Sequence, residues 1–210
     1  MEAMNVRHYN DVVAKGYFRK VYPLLTQKVI DCTGLRNGIA IDLGGGPGMF
    51  GIALATITDM RVTVVDPNQE CIDVAKENID ESMLAHRMSV CLGRAEDIPF
   101  PTDSVDLVIS RGSIPFWDDQ KKGISEIFRV IRPGGWAYFG CGMGSLELSI
   151  EIMENRQRDD PTWDGSKQRE YMGRISPEKL GGMLADLDIE SAVEASPAGI
   201  WVVFQKPLHP

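Results

Sequence analysis

No stretch of the 210 residues is long and apolar enough to cross a bilayer; none approaches the ~18–20 apolar residues of a spanning helix. The start, Met1-Glu2-Ala3-Met4-Asn5-Val6-Arg7, lacks the apolar centre of a signal peptide. Cysteine is scarce too. Cys32, Cys71, Cys91 and Cys141 are scattered, with no C-x-x-C pair and no histidine-rich segment beside them. Neither a zinc site nor a disulfide framework is expected, so no metal is assigned. Cys91 and Cys141 sit in strand-like runs and read as small core residues. A reducing cytoplasm is the expected compartment.

Positive charge is also short, with 22 Lys/Arg against 30 Asp/Glu and a net charge of −8. Phosphate recognition needs a basic face, so neither a nucleic-acid nor a membrane partner is expected. Residues 1–40 hold six Lys/Arg against three Asp/Glu, an excess that reads as a solvated helix face. The only histidines are His8, His86 and His209. None pairs with an aspartate at a plausible loop position, so the catalytic base, if one is used, is not identified. His86 reads as a surface residue, while His8 is a candidate to line a lid. Hydrophobic residues, at 43%, suffice for one ordinary core, and the length suits a single domain over 1–210. Monomer and homodimer both remain open.

What is there alternates. Residues 5–33 carry a helical apolar pattern (Val21, Leu24, Leu25, Val29), and Pro23 opens a second helix or kinks the first. Gly38 to Leu43 reads as a buried strand, Arg61 to Asp66 as a second, Met88 to Leu92 as a third and Val105 to Ser110 as a fourth. A fifth, Trp136 to Cys141, follows the stop signal Pro133-Gly134-Gly135. Helical stretches lie between, at 48–57, around Ile72 to Met83 and around Ile124 to Ile131. Strands alternating with helices imply a parallel sheet covered on both faces. The tail departs from this. After a helix opened by Ser176-Pro177, strands at Ile189–Ala195 and Gly199–Gln205 are too close in sequence for a parallel return, so an antiparallel hairpin is expected.

The most informative segment is Asp42-Leu43-Gly44-Gly45-Gly46-Pro47-Gly48, which leaves one strand and enters a helix. Glycines let a ligand approach the main chain, and the helix start adds free N–H groups. Asp66 ends the next strand, where a carboxylate can accept from two ribose hydroxyls at the switch point of an open α/β sheet. Gly46-x-Gly48-x-x-Gly51 also matches the dinucleotide fingerprint, so an NAD(P)-dependent reductase is an alternative. Two features oppose it: Pro47 removes a backbone donor, and no tyrosine has a lysine four residues on.

The loop, with Val64-Val65-Asp66, Gly93-Arg94-Ala95-Glu96-Asp97-Ile98-Pro99-Phe100, Ser104 to Ser110 and Ile131-Arg132-Pro133-Gly134-Gly135, resembles the ordered motifs of class I methyltransferases that use S-adenosylmethionine (SAM). The resemblance implies a Rossmann-like α/β fold with seven strands in the order 3-2-1-4-5-7-6, the last antiparallel. It implies SAM as cofactor, S-adenosylhomocysteine (SAH) as product, and a cofactor site of Asp42, Gly44, Gly45, Gly46, Gly48, Asp66, Pro67, Ala95, Glu96 and Ser110. Arg94 stands where the family often has an aspartate that accepts from adenine. Arginine cannot accept a hydrogen bond, which leaves Glu96 or the backbone near Ala95 for that role.

Ser110-Arg111-Gly112-Ser113, Phe116-Trp117-Asp118 and Gly140 to Gly144 resemble a subgroup of small microbial methyltransferases whose acceptors are not defined. The expected organisation is a helical cap (1–35), a SAM-binding core (36–142), a helical segment lining the acceptor side (143–175), and a C-terminal helix with its hairpin (176–210). The expected activity is methyl transfer to a small molecule. A SAM-binding protein without catalysis is a second alternative. Candidate acceptor residues are Tyr22, Arg111, Trp117 and Met143, with Tyr17 and Phe18 as further candidates to seal the site. Arg111 suits an anionic group and Trp117 a stacked acceptor. In the simpler alternative Arg111 pairs with Asp118 or Asp119, and Trp117 fills the core.

Overall fold

A computed structural model describes residues 5–208; His209 lies outside them. Seven strands form one sheet: β1 (Ile39–Leu43), β2 (Arg61–Asp66), β3 (Met88–Leu92), β4 (Val105–Arg111), β5 (Ile131–Gly142), β6 (Ala192–Ser196) and β7 (Gly199–Gln205). Their order is β3-β2-β1-β4-β5-β7-β6. β1, β2, β3, β4 and β5 pair in parallel, whereas β7 runs antiparallel to both neighbours. The expected order and hairpin are both present. Only Pro197 and Ala198 separate β6 from β7.

The strand alternation sorts side chains into two cores. Ala40, Val62, Val64, Leu107 and Ile109 face one cluster, which also takes Tyr22 and Leu25 from α2 (Val21–Thr33), Leu54 from α3 (Met49–Ile57) and Ile79 from α4 (Gln69–Glu81). Ile41, Leu43, Val65, Val108 and Phe139 face the other. It takes Ile124 and Ile127 from α5 (Gln120–Val130) and Leu180 and Leu184 from α8 (Pro177–Asp186). Period-two burial on both faces is why these strands read as near-continuous apolar runs.

The largest departures from the expected boundaries lie in β5 and β6. β5 begins at Ile131, which pairs with Val105; pairing resumes only at Trp136 with Leu107. Pro133-Gly134-Gly135 is therefore a bulge inside a strand, because proline cannot donate to the ladder there. β5 also continues to Gly142, so the glycine-rich segment after it is mostly strand. Its glycines admit a close approach: a Cβ on Gly142 would meet the Gly199 and Ala198 backbone. β6 starts three residues later than Ile189.

The N-terminal segment is helical in an unusual way. A short turn, α1 (Val6–His8), runs straight into a π-helix, Tyr9–Tyr17. That winding is rare and tends to mark functional positions. Residues 18–20 break the helix and α2 follows, with Pro23 in its first turn, where the missing N–H costs little. Arg7–Glu77 and Lys15–Glu81 tie this segment to α4. Lys20–Glu151 and Tyr17 to Asp159 tie it to α6 (Leu146–Asp159). A short helix, α7 (Ser166–Met172), completes the set. Among the described residues, no helix is long and apolar enough to cross a membrane.

Candidate functional site

The glycine loop runs from the end of β1 to the start of α3, and each of its turns is pinned. Gly44 N–H donates to Val65 O at 2.7 Å and Gly48 N–H to Gly45 O at 2.9 Å. Gly44, Gly46 and Gly48 all have positive φ, between 53° and 79°, a region side chains avoid. Space divides them further. A Cβ on Gly44 would strike Ser113, and one on Gly45 would come within 2.8 Å of Asp42 and Val64. A Cβ on Gly46 would meet no protein atom within 4 Å. The loop is thus closed towards the protein and open at Gly46, the shape of a backbone cradle.

Two carboxylates support it. Asp66 ends β2, and its Oδ2 accepts from Gly46 N–H at 2.9 Å while Oδ1 accepts from Asn68 N–H at 2.9 Å. The Cys71 thiol is a third partner, and a carboxylate with about four acceptor sites keeps capacity beyond these. Burial raises its pKa, and these two N–H groups oppose the rise. Asp42 lies beneath the loop, 1% exposed. Its Oδ2 accepts from Gly51 N–H at 2.8 Å, and its buried Oδ1 has no hydrogen-bond partner among the described residues. Burial pushes this carboxyl up to about 7, partly opposed by Gly51 and reinforced by Asp66.

Ser110 and Ser113 join the ends of β4 and β1. Their hydroxyls lie 2.6 Å apart, and Ser113 Oγ also donates to Leu43 O at 3.3 Å. Ser113 accepts Trp117 Nε1–H at 3.1 Å. The Trp117 ring rests against Phe139, 6.3 Å between centroids, and over Gly123, where a Cβ would overlap it. Trp117 is half-buried and packs against the core on this face of the sheet. Ser113 carried no signal of its own beyond its place in the β4 exit.

Arg111 does not pair with Asp118 or Asp119. Asp118 is taken by Arg94, and Asp119 caps α5 through Lys122 N–H. Instead Arg111 Nε donates to Gly142 O and Nη2 to Met143 Sδ, each at 3.0 Å. Its guanidinium carbon lies 4.1 Å from the Phe18 ring centroid and 5.7 Å from that of Tyr22. Tyr22, Phe18, Met143 and Arg111 therefore meet at one place, while Tyr17 turns away to α6.

The remaining cofactor candidates divide. Pro67 is exposed beside Asp66, and Ala95 is buried. Glu96 Oε1 accepts from the N–H groups of Asp118 and Asp119, at 2.7 and 3.2 Å, so it tethers the lead into α5. His8 and His86 are exposed. Among the described residues, no three His, Cys, Asp or Glu side chains are grouped to hold a metal.

A link that sequence reasoning missed joins the loop to the N-terminal helix. Asn78 Nδ2 donates to Pro47 O at 2.8 Å and to Asn10 Oδ1 at 2.9 Å, all within the interior. Sixty-eight residues separate the two asparagines, so no local pattern announces the pair.

Residues 41–139 match the family model described as a methyltransferase domain. A solved structure of a candidate S-adenosyl-L-methionine-dependent methyltransferase from Methanococcus maripaludis is 28% identical, covers 99% of this chain and 95% of its own, and superposes with a TM-score of 0.89. The 2-methyl-6-phytyl-1,4-hydroquinone methyltransferase of Spinacia oleracea is 33% identical over 61% of this chain and 36% of its own length. A ubiquinone/menaquinone biosynthesis C-methyltransferase of Vibrio vulnificus is 30% identical over 60% of this chain and 48% of its own. The chain thus spans a third to a half of the length of these curated relatives. Residues 41–139 are thus similar to a methyltransferase domain, and the chain shares its fold with the Methanococcus maripaludis protein.

Proposed function

We propose that this chain binds SAM over the glycine loop and transfers its methyl group to a small molecule. The observation that carries the reading is the Asp66–Gly46 contact. It sets a buried carboxylate with spare lone pairs beside a backbone cradle that is open at one glycine, in a stretch that matches methyltransferases. When bound, SAM supplies a methyl group already activated on a sulfonium.

The chain's own residues then hold and exclude. Gly44, Gly45, Gly46 and Gly48 shape the floor, with Asp42 fixing it from below through Gly51. Asp66 would accept from the ribose, flanked by Pro67. Ala95 would border the adenine, and Ser110 the passage to the acceptor. Since Glu96 is engaged with the backbone of 118–119, adenine recognition falls to the main chain around Ala95. Tyr22, Arg111 and Met143 line the acceptor side, and the N-terminal helices seal it against water. Because the methyl donor needs little covalent help, alignment is the main contribution, on the order of 7–11 kcal/mol when geometry is ideal.

The match of residues 41–139 speaks against the NAD(P) alternative. A SAM-binding protein without turnover is separated by experiment, since fold alone does not fix activity. Calorimetric titration with SAM, SAH and NADH tests the cofactor. A screen of cell extracts with methyl-labelled SAM then tests for turnover, and hydroquinones enter it as one acceptor class because of the relatives' names. Binding of NADH in place of SAM sinks the reading. SAM binding with no labelled product leaves the non-catalytic alternative.

A further inference from the structure

We infer that Arg111 is the anion-recognition residue of the acceptor site, and that the acceptor carries a carboxylate or similar planar anion on an apolar body. This rests on the SAM reading above. A guanidinium has five N–H donors, and Gly142 O and Met143 Sδ take one each. Three are left. No carboxylate among the described residues forms an ion pair with Arg111, although the side chain is only partly exposed.

A half-buried cation with no counter-ion has lost hydration without regaining a charge partner. The Phe18 and Tyr22 faces offset part of that loss. They also fix the plane of the group, as the two hydrogen bonds fix its rotation. What remains is a pre-set fork edge, which matches a carboxylate in a way that a lysine ammonium cannot. The rings and the Met143 thioether that surround it suit an apolar body attached to the anion.

Two anions could reach this fork: the acceptor's, or the amino-acid carboxylate of the cofactor. Position favours the acceptor. Arg111 is the last residue of β4, in register with Gly140 of β5, and both hydrogen bonds run to the β5 exit. Asp66 lies at the end of β2, on the far side of β1.

The test uses the full chain as wild type, Arg111→Gln and Arg111→Lys, each checked by melting curve. SAH-loaded protein is titrated with benzoate and phenylacetate and with their neutral amides. The wild type is expected to bind the acids at least tenfold more tightly than the amides. Arg111→Gln should abolish that preference and Arg111→Lys should keep only part of it, with SAH affinity unchanged in both. Equal affinity of wild type for acids and amides overturns the proposal, whatever the variants do. So does a fall in SAH affinity in Arg111→Gln that spares 5′-methylthioadenosine, which lacks the amino-acid end; Arg111 would then hold the cofactor. Wild-type protein that binds no SAH refutes the SAM reading itself, and this proposal with it.

Discussion

Asp66 accepts the Gly46 N–H at 2.9 Å, so the end of β2 holds the glycine loop in place from 20 residues away. One carboxylate thus sets the loop's shape and faces the space beside it. Asp66→Ala removes both functions. SAM affinity should fall by ~1.5–3 kcal/mol, roughly ten- to a hundredfold, the scale for a hydrogen bond to a charged group. Asp66→Asn, which keeps one acceptor oxygen, should lose less. Calorimetry on folded protein decides, and unchanged affinity in Asp66→Ala refutes the placement.

The loop glycines should separate by mechanism. Gly46→Ala forces a side chain into φ +53°, at about 1–2 kcal/mol, but meets no protein atom. It should fold and bind SAH poorly. Gly44→Ala adds a collision with Ser113 to a similar strain and should be the less stable protein, partly rescued by Ser113→Gly. Melting curves in the reverse order would contradict this.

Asn78→Leu leaves the Pro47 carbonyl and the Asn10 amide without their interior partner. A cost of ~1–3 kcal/mol per unsatisfied group is expected, with faster proteolysis within residues 5–17. If the urea midpoint falls but cleavage of that segment stays at the wild-type rate, Asn78 does not hold the N-terminal helix.

Asp42 gives a pH signature. Burial raises its carboxyl from an ordinary 3.8 to about 7, so folding favours the protonated form. That stabilisation is complete below about pH 4 and is lost as pH rises through about 7. Asp42→Asn keeps an acceptor for Gly51 N–H and cannot ionise. Its stability relative to wild type should therefore climb between pH 4 and 7 and level off above. Denaturant midpoints at pH 5 and pH 8 check the sign; an equal difference at both is the contrary result.

Glu96 and Arg94 should behave differently although they are neighbours. Glu96→Ala strips an acceptor from two backbone N–H groups and should lower the melting temperature. Arg94 is largely exposed in its pairing with Asp118, and such pairs contribute little, so Arg94→Ala should melt like wild type. A larger loss from Arg94→Ala would mean the segment is held by charge instead of by the main-chain bonds.

The strands were legible because buried parallel strands leave dense apolar runs between glycines, and β2, β3 and β7 stand where the runs do. The hairpin followed from a turn too short for anything else. The strand order and the candidate cofactor residues came instead from motif resemblance, since periodicity carries no neighbour information. What the sequence hid is tertiary. Val105–Ile131 pairing puts a proline loop inside β5. The fate of Arg111 depended on which partner claimed Asp118. Asn10 and Asn78 each look like ordinary helix-surface residues until the two helices meet.

The π-helix at Tyr9–Tyr17 has a consequence for insertions and deletions. Its wider winding accommodates more residues per turn than an α-helix does, so removal of one residue there leaves a backbone free to relax into ordinary winding. In an α-helix the same deletion turns everything downstream by roughly 100°, one residue's share of a 3.6-residue turn. Here the loss of the wide turn takes up much of that rotation. Phe18, now over the Arg111 guanidinium, would stay nearer its target than after a deletion in regular helix. A one-residue deletion between Asn10 and Phe18 should therefore be better tolerated than one inside α2.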